Sequence, residues 1–240
     1  MSKGAKFKRF GERKVFRLTF KASTPSGAAI AVSGSIDGVT YFREILERKA
    51  RGFEVKQQRD IADLVESAAK ETRTKILEVI NDGITTSDER REHLDAHDFE
   101  VLVAYYFRNN PFIYTLKLWD CLAIKSPNDY EAIGCGQDIA NLVLADAKLR
   151  VMPPAQGFAL SVYTVELCKR FDQACGGQFQ HLAILKETMH YPISFSEWSV
   201  DHYVKAVNKM HTFVHSNIAT ELVKIVNDNT LKKSEEAPPT

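Results

Sequence analysis

The stretch FDQACGG, residues 171–177, follows an amphipathic pattern and comes directly before a predicted strand at residues 178–185. Further upstream, the stretch IGCG, residues 133–136, also places a cysteine beside glycines. Because glycine adopts backbone conformations that other residues resist, each stretch predicts a turn at the end of an element. The later turn would lead from a helix into a strand, and the earlier one from a strand into a helix.

The segments before these turns predict strands followed by helices. Residues 14–20 alternate apolar and polar side chains, which is the period of a half-buried strand. Residues 28–32 form a short apolar strand that leads into Ser33 and Gly34. Apolar side chains at helical spacing predict helices over 38–50 and 56–81. The polar residues 82–98 predict a loop that contains one helical turn.

The second half of the chain predicts further strands and a second set of helices. Strands are expected at 99–107, 112–121, 123–133 and 178–185, and helices at 137–148, from Pro153 to 171 and at 200–227. The helices come in sequential pairs and do not alternate singly with strands, which argues against a doubly wound nucleotide-binding fold. The fold class is therefore α+β, and periodicity alone does not distinguish a general α+β fold from a layered αββα fold.

Composition excludes several classes of protein. The 240 residues are 44% hydrophobic, enough for the core of one domain, and 32 basic residues nearly balance 31 acidic ones. No apolar run is long enough to cross a membrane, and the basic start of the chain lacks the apolar stretch of a signal peptide. The four cysteines at 121, 135, 168 and 175 form no Cys-x-x-Cys pair, so we expect free thiols in a reducing cytoplasm, without zinc or any other cofactor.

Four short signatures, in this order, resemble those of the proteasome-type N-terminal-nucleophile (Ntn) hydrolases: KVFRL at 14–18, VSG at 32–34, GCGQ at 134–137 and DQACGG at 172–177. The resemblance implies a four-layer αββα sandwich over residues 14–186 that lacks the first strands of the family. It leaves a basic flexible arm at 1–13, a C-terminal helical extension at 187–231 and a disordered tail at 232–240.

The same resemblance implies roles for individual residues. In the family an N-terminal Thr, Ser or Cys is the nucleophile, its own α-amine is the general base, and a nearby lysine lowers the pKa of the hydroxyl. On this chain Lys14 would be that lysine, and Asp172 would orient the N-terminus. Cys135 and Cys175 would occupy two positions that are serines in the family, while Ser33 and Gly34 would line the substrate cleft.

One departure from the family decides the expected activity. The family nucleophile precedes the lysine by a full β-hairpin, whereas only thirteen residues precede Lys14. We therefore expect a truncated sequence or a pseudoenzyme, with Ser2 as the remaining alternative nucleophile. The expected function is that of a subunit of a self-compartmentalised peptidase, with threonine- or serine-type amide-bond hydrolysis in a full-length form and no activity as written. The alternative is a non-catalytic assembly subunit of an oligomeric ring.

Simpler interpretations stay open for each candidate residue. Lys14 also fits a lysine that guards a sheet edge, Asp172 a helix end, and the cysteines small buried side chains. The i,i+4 pairs His93/His97 and His211/His215 have a spacing that could hold a metal ion on a helix. The basic arm leaves a nucleic-acid role as a third function class. The expected partners are copies of the chain or related subunits in a ring, and peptides if the protein is active, but neither nucleic acid nor a membrane.

Overall fold

The structure is a computed structural model, and the residues that it describes fall into several ranges. These are 14–20, 27–83, 86–108, 110–145, 147, 152–172, 175, 182–184, 192–194, 202–206 and 208–209. The expected arm at 1–13 and tail at 232–240 lie outside the described residues, as do most of the expected extension at 187–231 and Ser2. The domain boundaries therefore stay a prediction.

A five-stranded antiparallel sheet forms the centre of the described structure. Its strands lie in the order in which they occur along the chain: β1 (Val15–Thr19), β2 (Gly27–Gly34), β3 (Phe99–Phe107), β4 (Asn110–Lys117) and β5 (Ile124–Lys125). In the central pair, Ile30 faces Val103 and Ser33 faces Glu100. Buried and partly exposed residues alternate along β3, which confirms the strand that the sequence predicts at 99–107.

Two long helices cover one face of this sheet. Helix α1 (Ile36–Ala50) begins at Ser35, whose hydroxyl caps the backbone N–H of Gly38 at 3.4 Å. It packs against α2 (Asp60–Gly83) and contacts β1 and β2. The fully buried ring of Phe42 on α1 lies against Phe99 on β3, with 5.2 Å between ring centroids. Apolar side chains from both helices and from β1 to β4 form one continuous core.

The part of the chain that follows this sheet in sequence forms a second pair of helices and a two-stranded sheet. Helix α4 (Gln137–Leu144) packs against α5 (Pro154–Phe171), and Pro154 occupies the first turn of α5, where proline is tolerated. The short strands β6 (Leu182–Ile184) and β7 (Pro192–Ser194) pair antiparallel. Strand β6 contacts β1 and β2, and β7 contacts β2, so the smaller sheet lies against the larger one.

Two predicted segments differ from the structure. Residues 82–98 contain a helix, α3 (Ser87–Ala96), in place of a loop with one helical turn. Thr86 initiates it, because its hydroxyl accepts a hydrogen bond from the Glu89 N–H at 3.3 Å and donates one to the Glu89 carboxylate at 2.8 Å. The bond from the Glu89 N–H is an N-cap, which stabilises a helix in which no side chain is fully buried.

The strand predicted at 123–133 is reduced to the two residues of β5. Just after it, the Ser126 hydroxyl donates to the carbonyls of Asn128 and Tyr130 and accepts from the Asn128 N–H at 3.2 Å. Such local hydrogen bonds compete with the ladder of a sheet, and Pro127 has no N–H to offer to a neighbouring strand. The chain therefore leaves the sheet and runs as a loop to Gly134.

The α+β class is confirmed by the mixed sheet-and-helix architecture. The four-layer arrangement stays a prediction. Among the residues that the structure describes, no helix combines the length and apolar character needed to cross a membrane.

Candidate functional site

The turn that precedes α4 is held against the ends of β2 and β3. The Gly134 N–H donates a hydrogen bond to the Glu100 carboxylate at 2.9 Å, and that carboxylate lies 3.5 Å from the Lys117 ammonium. Gly134 has a φ of +85°, and a Cβ added to it would collide with the Ser33 side chain. Glycine is therefore required here both by the backbone conformation and by the close approach of the turn to β2.

The cysteine of this turn meets the cysteine that follows α5. The Sγ atoms of Cys135 and Cys175 lie 2.9 Å apart, and either thiol can be the donor. A carboxylate oxygen of Asp172 joins them, so that all three ligand-type atoms lie within 4.8 Å of one another. The side chain of Cys135 is exposed, whereas Cys175 and Asp172 are partly buried. We call these three residues the thiol–carboxylate cluster.

A third thiol lies beside this cluster. Cys168 on α5 is buried, and its S–H donates to the Gly136 carbonyl at 3.3 Å. A Cβ added to Gly136 would lie 2.9 Å from the Cys168 sulfur and 3.0 Å from the Cys175 sulfur. Both sulfur atoms thus crowd the position that a side chain at 136 would occupy, and only glycine leaves it free.

The end of α5 positions two members of the cluster. Asp172 caps the helix, and its N–H donates to the Cys168 carbonyl at 2.9 Å. The Cys175 N–H then donates to the Asp172 carbonyl at 3.0 Å, which turns the chain back toward α4. A residue four positions after Cys168 lies on the same face of a helix, which is why Asp172 and Cys168 both face the turn at 134–136.

Two of the thiols at this site, those of Cys168 and Cys175, are poor nucleophiles at neutral pH. Burial, and then the hydrogen bond with Cys135, raises the pKa of Cys175 to about 12. Burial, followed by the proximity of Cys135, also raises the pKa of Cys168. Because the thiolate is the reactive form of cysteine, thiols held in this protonated state lack the character of a catalytic nucleophile.

The remaining predicted site residues lie along the first two strands. Lys14 is exposed just before β1, and its carbonyl accepts a hydrogen bond from the Val32 N–H at 2.9 Å. Gly34, with a φ of +116°, ends β2, where a Cβ would lie 2.7 Å from the Phe99 Cα. Ser33 is brought against Gly134, so the structure joins the VSG strand end to the GCG turn. The roles assigned to these residues stay predictions.

The sequence did not indicate that Cys168 belongs to this site. The available signal was its helical spacing of four residues before Asp172. The described histidine pair does not converge on the site: the rings of His93 and His97 stack with 6.4 Å between centroids, and Nδ1 of His97 lies 2.7 Å from the His93 carbonyl. His211 and His215 lie outside the described residues.

Comparison with known proteins gives a likeness of fold alone. No protein-family model matches the chain, and no curated protein matches it by sequence. Among solved structures, a helical assembly of the Anbu complex from Pseudomonas aeruginosa superposes with a TM-score of 0.67 at 12% identity, covering 87% of this chain and 84% of that one. A Gly-1 mutant of Anbu from Hyphomicrobium sp. strain MC1 gives 0.63 at 11% identity, with 87% and 86% covered. Anbu from Yersinia bercovieri, described as an ancestral beta-subunit, gives 0.59 at 12%, with 85% and 84% covered.

These comparisons correct the resemblance drawn from the sequence. The identification of the chain as a proteasome-type Ntn hydrolase whose first hairpin and nucleophile are missing is wrong: no family model supports it, and the similar structures are Anbu proteins of which the chain covers 84–86%. The physical reason is that two of the four signatures, GCGQ and DQACGG, are turn sequences. Glycines at 134 and 136 are required by backbone conformation and close packing, which does not depend on any catalytic role.

Proposed function

We propose that this chain is a non-catalytic subunit of a self-associating complex of the Anbu type, built from copies of itself or of related subunits. One observation carries the proposal: the fold matches that of a helical assembly of the Anbu complex with a TM-score of 0.67 over 87% of this chain. At 12% identity this likeness concerns the fold, so the assembly itself is what has to be tested.

Exposed apolar side chains on the α4–α5 pair support self-association. Leu142 on α4 is 80% exposed, and Phe171 at the end of α5 is 68% exposed. Val165 on α5 is also exposed. Exposure of large apolar side chains to water is unfavourable in free energy. Contact with a second copy of the chain would remove them from solvent. We therefore assign part of the subunit contact to this helix pair.

The exposure of Lys14 supports an assembly role over peptide hydrolysis. Serine- or threonine-type amide-bond hydrolysis, with Lys14, Asp172, Cys135 and Cys175 as the supporting residues and Ser33 and Gly34 lining the cleft, is the competing function. A nucleophile in such a site needs a base or a lowered pKa. Lys14 is the residue that would lower that pKa, and it is exposed, so that water and salt weaken the effect of its charge. We expect no peptidase activity from these 240 residues.

The finer architecture and the compartment belong to the same proposal. We infer a four-layer αββα sandwich, and the support for it is the contact of β6 and β7 with β1 and β2 together with the helix pairs α1–α2 and α4–α5. The proposed compartment is the reducing cytoplasm, where the four free cysteines of the described structure would remain thiols.

Light scattering coupled to size-exclusion chromatography, together with negative-stain electron microscopy, tests the assembly directly. We expect the wild-type chain to form particles many times the mass of one subunit. Leu142→Glu and Phe171→Glu should reduce that mass, because each places a charge in the proposed contact. Val79→Glu is the control, since Val79 on α2 is 69% exposed but lies on the other helix pair. A monomeric wild-type protein at all concentrations would refute the proposal.

Peptide hydrolysis is measured on the same preparation. We expect no turnover of fluorogenic peptides and no covalent adduct with an electrophilic acylating inhibitor. Turnover that Lys14→Ala abolishes would instead establish the competing hydrolytic function. The result is independent of the mass measurement, so each half of the proposal can fail separately.

A further inference from the structure

We propose that Cys135, Asp172 and Cys175 together bind one Zn²⁺ ion. This inference goes beyond the proposed assembly role and does not depend on it. It also reverses the expectation that the cysteines hold no metal, because that expectation rested on spacing along the sequence, and the ligands meet only in the folded chain.

The distances between the three donor atoms are close to those between ligands of a single zinc ion. Zinc binds cysteine sulfur at about 2.3 Å and carboxylate oxygen at about 2.0–2.2 Å, so two sulfur ligands of one ion lie about 3.8 Å apart in a tetrahedral site. The two sulfurs and the Asp172 oxygen already lie within 4.8 Å of one another. The sulfurs, at 2.9 Å, have to separate by about 1 Å, which a small side-chain rotation provides.

The chemistry of the donors selects the metal. The two cysteine sulfurs, which release their protons when they bind an ion, are soft ligands that favour zinc, whereas Mg²⁺ and Ca²⁺ prefer oxygen ligands alone. Three protein ligands leave the fourth tetrahedral position to a water molecule or to a further side chain. Cys168 is the further thiol to test for that position, because its sulfur and the Cys175 sulfur would lie 2.9 Å and 3.0 Å from a Cβ added at Gly136.

The site is also accessible to ions, and it lies where a bound ion would connect two segments of the chain. Cys135 is exposed, so an ion can reach the cluster from solvent. Cys135 belongs to the turn before α4, whereas Asp172 and Cys175 belong to the turn after α5. A bound ion would therefore connect the two ends of the helix pair, as structural zinc ions connect chain segments that lack a large core.

The test is metal titration of the full-length protein, purified reduced and metal-free. We expect one equivalent of cobalt(II) to produce a thiolate-to-cobalt charge-transfer band, and Zn²⁺ to displace the cobalt and remove the band. A chromophoric zinc chelator then gives the affinity by competition. Cys135→Ser and Cys175→Ser should each weaken zinc binding by well over tenfold, and Asp172→Asn should weaken it as well, because it removes the anionic oxygen ligand.

Cys121→Ser is the matched control, because Cys121 is a buried free thiol outside the cluster whose S–H donates to the Leu118 carbonyl at 2.8 Å. We expect its zinc affinity to equal that of the wild type. Cys168→Ser tests the identity of the fourth ligand. A weaker complex with altered cobalt absorption assigns Cys168 to the coordination sphere. An unchanged affinity and absorption assign the fourth position to water. Both results support the three-residue site.

Thermal melting provides a second readout that does not depend on a variant folding correctly. Because a ligand that binds only the folded chain stabilises it, an equivalent of Zn²⁺ should raise the melting temperature of the wild type, and a chelator should reverse the increase. A reduced wild type that binds no stoichiometric metal would overturn the proposal. So would equal zinc affinity in wild type, Cys135→Ser and Cys175→Ser.

Discussion

The Sγ atoms of Cys135 and Cys175 lie 2.9 Å apart although 40 residues separate them along the chain. One thiol belongs to the turn before α4 and the other to the turn after α5, so the packing of these two helices creates the contact. Gly136 allows it, because a Cβ there would lie only 2.9 Å and 3.0 Å from the Cys168 and Cys175 sulfurs. The site therefore depends on this glycine as much as on the cysteines themselves.

Gly134→Ala should destabilise the protein by about 1–3 kcal/mol, because it adds a Cβ at positive φ. The Cβ would also collide with Ser33. Chemical denaturation measures the change. Gly157→Ala is the matched control within α5, where a Cβ has open space. It should stabilise the protein by about 0.5–1 kcal/mol, the helix preference of alanine over glycine. Equal effects of the two substitutions would contradict the geometry of the turn.

Phe42→Ala should cost about 3–5 kcal/mol of unfolding free energy, the usual loss for truncating a buried phenylalanine. Phe42 is fully buried and packs on Phe99 across the α1–sheet interface. Phe171→Ala removes the same atoms at a site that is 68% exposed and should change the free energy of unfolding by less than about 0.5 kcal/mol. Denaturation should be followed at concentrations where the oligomeric state is the same for both variants.

Glu66→Ala should destabilise the connection between α2 and the segment after β4. The Glu66 carboxylate accepts hydrogen bonds from the Ala123 N–H at 2.9 Å and from the Arg59 guanidinium at 2.6 Å. Its loss leaves the N–H of the buried Ala123 without this acceptor, which costs about 1–3 kcal/mol. Glu66→Gln keeps an acceptor oxygen and should therefore reduce the free energy of unfolding by less than Glu66→Ala does. The solvent-exposed pair of Glu54 and Lys56 provides the control, and Glu54→Ala should have little effect.

Tyr105→Phe should reduce stability at neutral pH by about 0.5–1.5 kcal/mol, because the Tyr105 hydroxyl donates to the Gln58 carbonyl at 2.5 Å. Burial, followed by the proximity of Tyr114, raises the pKa of Tyr105 well above its usual value. The unfolded chain therefore loses this proton first, and the stability of the wild type falls as pH rises above about 10.

The difference in stability between the wild type and Tyr105→Phe should consequently become smaller in alkaline solution. Melting temperatures recorded between neutral and strongly alkaline pH would show it. Tyr41→Phe, at a tyrosine that is 45% exposed, should follow the wild type throughout. A Tyr105→Phe difference that stays constant or widens with rising pH would contradict the assigned burial and hydrogen bond.

Local patterns in the sequence were sufficient to predict several elements of the fold. The strand at Phe99–Phe107 and the helices α1, α2 and α5 follow from side-chain periodicity, because a face that packs on the core repeats its apolar residues at the period of the element. The α+β class followed from their order. The sequence predicted a longer strand than β5 and one helical turn in place of α3, because the hydrogen bonds of Ser126 and the N-cap hydrogen bond of Thr86, and not apolar periodicity, decide where these elements begin and end.

The convergence of residues at the candidate site depends on tertiary packing and not on local sequence patterns. Nothing in the spacing of the cysteines predicts that Cys135, Asp172 and Cys175 converge, because their contact depends on how α4 packs against α5. The same is true of Ser33 and Gly134, which belong to a strand end and a turn that are distant in sequence. Local signals record what each segment does on its own, whereas a site is formed by segments that the packing of the core brings together.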